Sequence, residues 1–215
     1  MIPAMGRRIL VATTNRGKMA ELGAMLDADA EWAGLGDMPA LKEIEEDGLT
    51  FAENAAKKAL GYAKASGWWT IADDSGLMVD ALGGAPGVHS ARFSGPKLPE
   101  ESGSLIDRRN TAKVLRLLEG VPSEKRTARF VCCLCLASPR SVLVEACGVL
   151  EGVIAQEEVG TNGFGYDPVF YVPKMGKTVG QMSSEEKNAI SHRSQAVQQL
   201  KPRLLELLRE ISGTW

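Results

Sequence analysis

The hydrophobic positions of the chain form two kinds of segment, short apolar runs and longer stretches with helical spacing. Apolar runs predict β-strands, and they lie at Arg8–Ala12, Ile71–Ala72, Thr127–Ala137, Val142–Ala155 and Val169–Pro173. Apolar residues three and four positions apart predict helices, which begin near Met19, Phe51, Asp107 and Ser183. Strands and helices therefore alternate, and the polar turn Ser138–Ser141 predicts an antiparallel hairpin. We expect one α/β domain over residues 1–215, with a curved mixed β-sheet flanked by helices and two lobes around a central cleft.

An abrupt change from apolar to acidic residues marks the second predicted strand. Asp73 and Asp74 directly follow its apolar residues and precede Ser75 and Gly76. Side chains alternate across a strand, so the two carboxylates point in opposite directions unless the chain bends, which Gly76 permits. Crowded carboxylates repel each other, and we therefore expect a cation or a shared proton nearby. The segment alone is compatible with a solvated acidic turn and with a catalytic strand end.

A polar, glycine-containing loop joins the first strand to the first helix. The loop Thr13–Lys18 offers backbone N–H groups and a helix N-terminus to an anion, and Arg16 and Lys18 add positive charge. It is not a Walker A loop, because Ala12 stands where that motif has glycine and Met19 where it has Ser or Thr. An ordinary strand-to-helix turn, with Thr or Asn as the N-cap, is the alternative.

A dense acidic run, Glu43–Gly48, precedes the second helix. Thr50 and Glu53 form a capping-box pattern at the start of that helix, and Asn54 and Lys58 share one of its faces. Acids before a helix N-terminus favour the helix dipole and need no function. They also supply the oxygen ligands that Mg²⁺ prefers.

Two glycine-rich loops and a His–Arg pair complete the candidate chemistry. The loop Gly83–Pro96 is long and has no period of its own, which is typical of functional or mobile loops. In Gly160–Pro168, glycine lets the backbone approach a flat ligand and Phe164 is able to stack on a base. A tight turn that buries its aromatic residues is the alternative there. His192 and Arg193 are donors that suit a carbonyl-bearing ring, although such a pair is more often a solvated or ion-paired helix face.

Composition and charge argue against several classes of protein. The 215 residues carry a formal net charge of −2, whereas proteins that bind nucleic acid usually carry a basic stripe. No apolar run approaches the length of a membrane span. Cys132, Cys133 and Cys135 lie in one apolar strand, and Cys147 lies further along the chain. We expect all four to be reduced, buried thiols of a cytoplasmic protein.

Six sequence blocks occur in the order of one known family. They are Ala12–Lys18, Gly48–Ala55, Ala72–Leu77, Gly83–Arg92, Gly163–Pro168 and Ser191–Arg193. Together they resemble the inosine triphosphate pyrophosphatases, the Ham1-like dITP/XTP pyrophosphatases, along most of the chain. The resemblance implies hydrolysis of ITP, dITP and XTP to the nucleoside monophosphate and pyrophosphate, which cleanses the nucleotide pool. It also implies a requirement for Mg²⁺, a nucleotide cleft and a homodimer.

The resemblance implies roles for individual residues as well. Asp74 matches the proton acceptor of the family and, together with Glu45, its metal ligands. The implied substrate contacts are Thr13, Thr14, Asn15, Arg16, Gly17, Lys18, Lys58, Ser75, Phe164, Gly165, Tyr166, Asp167, Lys187, His192 and Arg193. Thr14 stands where the family often has Gly or Ser, and Asp47 adds a charge. The second departure leaves open which of Glu45, Glu46 and Asp47 meets the metal, and Asp73 is either a second ligand or a structural brace.

Base selection is expected to depend on hydrogen-bond donors. Inosine and xanthosine carry a carbonyl acceptor at C6, where adenine carries an amino donor, so His192, Arg193 or loop N–H groups would distinguish them. Two alternatives stay open. One is a nucleotide sensor without turnover, which does not explain the additional carboxylates. The other is a related pyrophosphatase that acts on modified pyrimidine triphosphates.

Overall fold

The structure is a computed structural model, and it describes residues 8–96, 98 and 100–212. Its strands are β1 (Arg8–Ala12), β2 (Glu31–Gly34), β3 (Trp69–Val79), β4 (Thr127–Ala137), β5 (Val142–Ile154), β6 (Phe170–Val172) and β7 (Lys177–Thr178). Its α-helices are α1 (Arg16–Met25), α2 (Phe51–Ser66), α3 (Gly103–Leu117), α4 (Ser184–Ile190) and α5 (His192–Ser212). The predicted capping box at Thr50 and Glu53 starts α2, and a second one at Ser183 and Glu186 starts α4.

The described strands form one seven-stranded sheet in the order β2-β1-β3-β4-β5-β6-β7. Strand β1 pairs in parallel with β2 and β3, whereas β6 pairs antiparallel with β5 and β7. The turn after β4 leads directly to its neighbour β5, and the Ser138 N–H donates to the Ser141 carbonyl at 2.8 Å. The predicted α/β class, the mixed sheet and the hairpin are therefore confirmed. The nucleotide cleft stays a prediction.

The chain divides into two compact units. Unit 1 comprises the chain up to Asp74, Cys132–Gly148 and the part from Arg193 onward, and unit 2 comprises Ser75–Val131 and Val149–His192. Buried residues of the unit 1 core include Ile9, Ile71, Leu134, Leu200 and Leu204. Those of the unit 2 core include Leu77, Val114, Leu118, Val169 and Phe170. Full burial of each such side chain stabilises by roughly 1.5–3 kcal/mol, so each unit has a core of its own.

Strand β3 runs without interruption through the acidic segment, which corrects the expectation of a strand end or a bend there. It continues to Val79, and Gly76 does not have the left-handed φ of a turn glycine. Glycine is needed at this position for close approach, because a Cβ on Gly76 would lie 2.2 Å from the Ser90 Oγ. The Ser90 hydroxyl accepts a hydrogen bond from the Leu77 N–H at 2.9 Å. The two aspartates therefore lie in the middle of a strand, on opposite faces.

The prediction of four reduced, buried cysteines is wrong at two positions. Cys133 of β4 and Cys147 of β5 form a disulfide, with their Cα atoms 4.2 Å apart, and Cys147 is exposed. The two strands are neighbours in the sheet, so their register brings these residues together, and register is not visible in the apolar pattern alone. Cys132 and Cys135 are buried and outside any disulfide, as predicted.

The C-terminal segment forms two helices where the sequence predicted one. Ser191 between α4 and α5 is extended, with φ −65° and ψ 153°, so the helical hydrogen bonding stops there. The break separates Lys187, near the end of α4 in unit 2, from Arg193, near the start of α5 in unit 1. No helix in the described ranges is long and apolar enough to cross a membrane.

Candidate active site

The first turn of α1 carries the loop that the sequence predicted for phosphate. Asn15 is the N-cap, and its Oδ1 accepts a hydrogen bond from the Lys18 N–H at 3.1 Å. The Asn15 N–H donates to the Thr13 Oγ1 at 3.2 Å. Thr14 and Arg16 are exposed beside this cap. The arrangement suits an anion, because a helix N-terminus carries partial positive charge and backbone donors.

Asp73 is the centre of a buried ion-pair network in unit 1. Lys18 pairs with its Oδ1, and the Arg193 Nε donates to its Oδ2 at 2.8 Å. The Cys132 thiol donates to the same oxygen at 3.1 Å, and Arg193 also pairs with Glu21 of α1. Burial disfavours the ionised carboxyl, but Arg193 and Lys18 outweigh it and hold the pKa of Asp73 well below its usual value. These contacts indicate that Asp73 is a structural brace that holds Lys18, and they argue against a role for Asp73 as a metal ligand.

Asp74 has a different set of partners from its neighbour, as strand alternation requires. The residue is 7% exposed. Burial raises the pKa of its carboxyl above the ordinary value, and the negative charge of Glu46 acts in the same direction. The positive charges of Lys18 and Lys58 and a hydrogen bond from Asn54 oppose this rise. Such a carboxyl binds a proton more readily than an ordinary aspartate does, and perturbed groups of this kind are typical of catalytic sites.

The acidic run before α2 places one carboxylate in the surroundings of Asp74. Glu46 is partly buried and pairs with Lys58, at 3.0 Å between Oε1 and Nζ. Asp47 pairs with a different lysine of α2, and Glu45 is exposed. Of these three acids, Glu46 is the one whose charge acts on Asp74.

In unit 2, the aromatic loop, Gly163–Pro168, is held in shape by hydrogen bonds to its own acid. The Asp167 Oδ2 accepts from the Phe164 N–H at 2.9 Å and from the Lys187 Nζ at 2.6 Å. The Lys187 ammonium lies 4.5 Å from the centroid of the Phe164 ring. The loop therefore brings together an aromatic face and a buried cation, which are groups that stack on a purine and donate to its carbonyl.

Three further contacts hold the aromatic loop, and two of them come from Asp107 and Thr111, which sequence reasoning did not identify. Asp107 accepts a hydrogen bond from the Gly165 N–H at 3.0 Å, and Thr111 donates to the Gly165 carbonyl at 3.5 Å. The Tyr166 hydroxyl donates to the Ser90 carbonyl at 2.8 Å. Burial raises the pKa of Tyr166, and the charge of Asp107 adds to the rise. Asp107 is 58 positions from Gly165 in the sequence, so no local pattern connects them.

The remaining predicted residues have other surroundings. His192 is buried, and its ring stacks on Phe130 with 4.9 Å between centroids. Arg193 is 1% exposed, and its guanidinium pairs with two carboxylates of unit 1. Ser75 is partly buried in β3. Contact of these three residues with a substrate stays a prediction.

The residues around Asp74 fit a magnesium ion. The negative charge of Glu46 contributes to the raised pKa of Asp74, and a divalent cation would offset the repulsion between the two carboxylates. Mg²⁺ takes one or two carboxylates and keeps several waters. Among the residues that the structure describes, no group of three or more His, Cys, Asp or Glu side chains is arranged for a metal. The donor set therefore suits a hydrated ion better than one enclosed by protein ligands.

The chain is similar to known proteins along nearly its whole length. The sequence profile of the Ham1 family matches residues 9–203. The dITP/XTP pyrophosphatase of Listeria monocytogenes is 47% identical over 206 residues, which cover 95% of this chain and 98% of that protein. The dITP/XTP pyrophosphatase of Nitratidesulfovibrio vulgaris is 50% identical over 200 residues, with 93% and 94% covered.

Solved structures show the same relationship. The Ham1 protein of Staphylococcus aureus matches with a TM-score of 0.80 and 40% identity, covering 92% of this chain and 97% of that one. A HAM1 protein of Coxiella burnetii matches with a TM-score of 0.81 and 40% identity, covering 93% and 98%. The resemblance carried by the six sequence blocks is thus confirmed, and the chain belongs to the Ham1 family.

Proposed function

We propose that this chain hydrolyses the deaminated purine nucleotides ITP, dITP and XTP to the monophosphate and pyrophosphate, and so cleanses the nucleotide pool. Membership of the Ham1 family and the activities named for its relatives support this substrate class. The observation that carries the chemistry is the buried Asp74 carboxyl, on which the charges of Lys18 and Lys58 act. Two lysines offset the charge of a polyphosphate, and a carboxyl with a raised pKa accepts a proton.

In the proposed reaction, water attacks the α-phosphorus in line with the bond to the oxygen that bridges to the β-phosphorus. That bond breaks, and pyrophosphate leaves with the bridging oxygen. Asp74 orients the water and accepts its proton. Lys18, Lys58 and the backbone donors of Thr13–Lys18 hold the phosphate oxygens. Asp73 keeps Lys18 in place through their ion pair.

We expect Mg²⁺ as the cofactor, held by Asp74 and one acid of the run before α2. The family resemblance favours Glu45, whereas the contacts in unit 1 favour Glu46, the acid that pairs with Lys58. When bound, the ion offsets phosphate charge and polarises phosphoryl oxygens. Waters would complete its coordination.

We assign base recognition to the aromatic loop and Lys187 of unit 2. Phe164 stacks on any purine, which adds affinity without discrimination. The Lys187 ammonium, positioned by Asp167, suits the C6 carbonyl of hypoxanthine or xanthine. The C6 amino group of adenine offers it no acceptor, and a mismatched polar contact of this kind discriminates strongly. His192 and Arg193 are further candidate donors from the family resemblance.

Pyrophosphate release tests the proposed function. We expect fast release from ITP and XTP with Mg²⁺, and release from ATP that is slower by roughly 100-fold or more. Asp74→Asn should lower kcat by roughly 100-fold or more, because general base catalysis is lost, and should largely preserve the fold. Absence of release from every nucleotide would instead favour a sensor. Preference for methylated pyrimidine triphosphates over ITP would favour the pyrimidine-specific alternative.

We also expect a cytoplasmic homodimer without a nucleic-acid or membrane partner. The family resemblance supports the homodimer, and the net charge of −2 is unfavourable for nucleic acid. The Cys133–Cys147 disulfide weakens the argument for the cytoplasm, because disulfides are rare in that compartment. Sedimentation equilibrium should give twice the 23.0 kDa mass of the chain. A monomer mass that persists at high protein concentration would contradict the homodimer.

A further inference from the structure

We propose that Asp107 and Thr111 of α3 are positioning residues that fix the aromatic loop for the base of the substrate. The inference rests on the proposed function, because it assigns that loop to base binding. Neither residue belongs to the six blocks that carry the family resemblance. Both act on Gly165, and we call the two side chains together the α3 clamp.

The α3 clamp engages both backbone groups of one loop residue. The Asp107 Oδ2 accepts from the Gly165 N–H at 3.0 Å, and the Thr111 Oγ1 donates to the Gly165 carbonyl at 3.5 Å. The two clamp residues are four positions apart, so they share a face of the helix. Thr111 is 1% exposed, and Val114 anchors the same helix in the unit 2 core. A rigid, packed helix therefore supports the part of the loop around Gly165, which lies outside any helix or strand.

The backbone of the aromatic loop explains why such support is needed. Gly163 has φ 76° and Gly165 has φ 61°, and Phe164 lies between them. Glycine loses more conformational freedom on ordering than any other residue, so two glycines leave the aromatic residue weakly constrained by the backbone itself. Hydrogen bonds from a fixed helix offset part of that entropy cost. The clamp thereby holds the peptide that follows the stacking ring.

The clamp also affects which donors serve base recognition. The N–H groups of Phe164 and Gly165 donate to Asp167 and Asp107 within the protein. While Asp167 and Asp107 accept these hydrogen bonds, the two N–H groups are not directed at a C6 carbonyl, although the sequence left loop N–H groups as candidates. Discrimination between hypoxanthine and adenine then depends on side chains such as Lys187.

Loss of the Asp107 carboxylate should weaken binding of the base and leave the chemical step intact. Asp107→Ala is expected to raise the KM for ITP roughly tenfold, because a hydrogen bond to a charged group is lost, while kcat stays nearly constant. Asp107→Asn keeps an acceptor and should retain most of the affinity. Thr111→Val should raise the KM for ITP by a smaller factor in the Asp107→Ala variant than in the wild type, since both substitutions act on Gly165. Full additivity, or an effect on kcat alone, would contradict a shared positioning role.

Two product inhibitors separate positioning of the base from a general defect of the fold. IMP carries the base, whereas pyrophosphate carries only phosphate. In Asp107→Ala, the inhibition constant of IMP should rise roughly tenfold, and that of pyrophosphate should not change. Glu119→Gln, which neutralises an exposed carboxylate just after α3, is the matched control and should behave as the wild type. Equal weakening of both inhibitors, or an unchanged constant for IMP, would overturn the proposal.

Amide hydrogen exchange provides a measurement that does not depend on turnover. The Gly165 N–H should exchange at least roughly tenfold faster in Asp107→Ala than in the wild type, because its acceptor is gone. Exchange in β4 should not change. If the wild type does not hydrolyse ITP, the proposed function fails, and this experiment still decides whether the clamp exists. Unchanged exchange at Gly165 would overturn the clamp itself.

Discussion

Asp73 and Asp74 are adjacent in the sequence, yet the pKa of the first is lowered and the pKa of the second is raised. Asp73 is fully buried between Arg193 and Lys18, so it stays ionised and braces the lysine. Asp74 is buried with weaker compensation, because the charge of Glu46 opposes that of the nearby lysines. Carboxyl pairs whose environments move their pKa values apart usually have different roles in catalysis. A single polar dipeptide in a strand thus supplies both a brace and a candidate proton acceptor.

Two single substitutions test which acid would bind the proposed Mg²⁺ together with Asp74. Glu46→Gln should raise the Mg²⁺ concentration for half-maximal ITP hydrolysis by roughly tenfold or more, since a carboxylate ligand is lost. Glu45→Gln should shift it less, because Glu45 is exposed, and Asp47→Asn serves as a control for charge alone. Magnesium titrations at saturating ITP measure the shift. A larger shift for Glu45→Gln than for Glu46→Gln would indicate that Glu45 is the ligand.

At the scale of elements, local patterns predicted the strands and helices in which the apolar residues follow the period of a strand or of a helix. Helix α2 begins at Phe51 with its predicted capping box and extends to Ser66. Strand β3 is longer than predicted. The prediction stopped at the acidic segment because Asp73, Asp74 and Ser75 are not typical strand residues. Cations from α1, α2 and α5 compensate the two acids in this strand. A window of sequence around β3 does not contain those partners.

In the candidate site, too, sequence patterns did not predict contacts between residues that are far apart in the chain. Motifs predicted Lys18, Asp74 and Phe164, because each lies in a block with its own local pattern. They did not predict Glu21, which pairs with a residue 172 positions away, or Asp107, which bonds to one 58 positions away. The Cys133–Cys147 disulfide was missed for a related reason, since it depends on the register of two strands. Sequence patterns therefore predicted residues within local motifs, but not the contacts that form only in the tertiary structure.

At the scale of the whole molecule, each unit contains a core and its own group of candidate functional residues. Unit 1 holds the ion-pair network of Asp73 and the surroundings of Asp74, and unit 2 holds the aromatic loop and Lys187. The residues that we propose for phosphate chemistry and those that we propose for base recognition are therefore supported by different cores. This separation is the reason that a substitution in α3 is expected to alter inhibition by IMP without altering inhibition by pyrophosphate.

The dependence of folding stability on pH should include a contribution from Asp107 with a defined sign. Burial raises the pKa of Asp107, and the hydrogen bond from the Gly165 N–H opposes the rise; Tyr166 is the titratable group coupled to the same carboxyl. A group whose folded pKa exceeds its unfolded pKa binds protons more tightly in the folded state. Its stabilising contribution is therefore complete below the unfolded pKa and is lost as pH rises through the folded pKa.

The melting temperature of the wild type relative to Asp107→Asn should accordingly fall as pH rises from about 3 to about 6, a range that starts below the ordinary pKa of aspartate. Scanning calorimetry of both proteins across this range measures the difference. Glu119→Gln, which removes a charge from an exposed site, should show no such trend. A difference that stays constant, or that grows in favour of the wild type as pH rises, would show that the folded state does not favour the protonated carboxyl of Asp107.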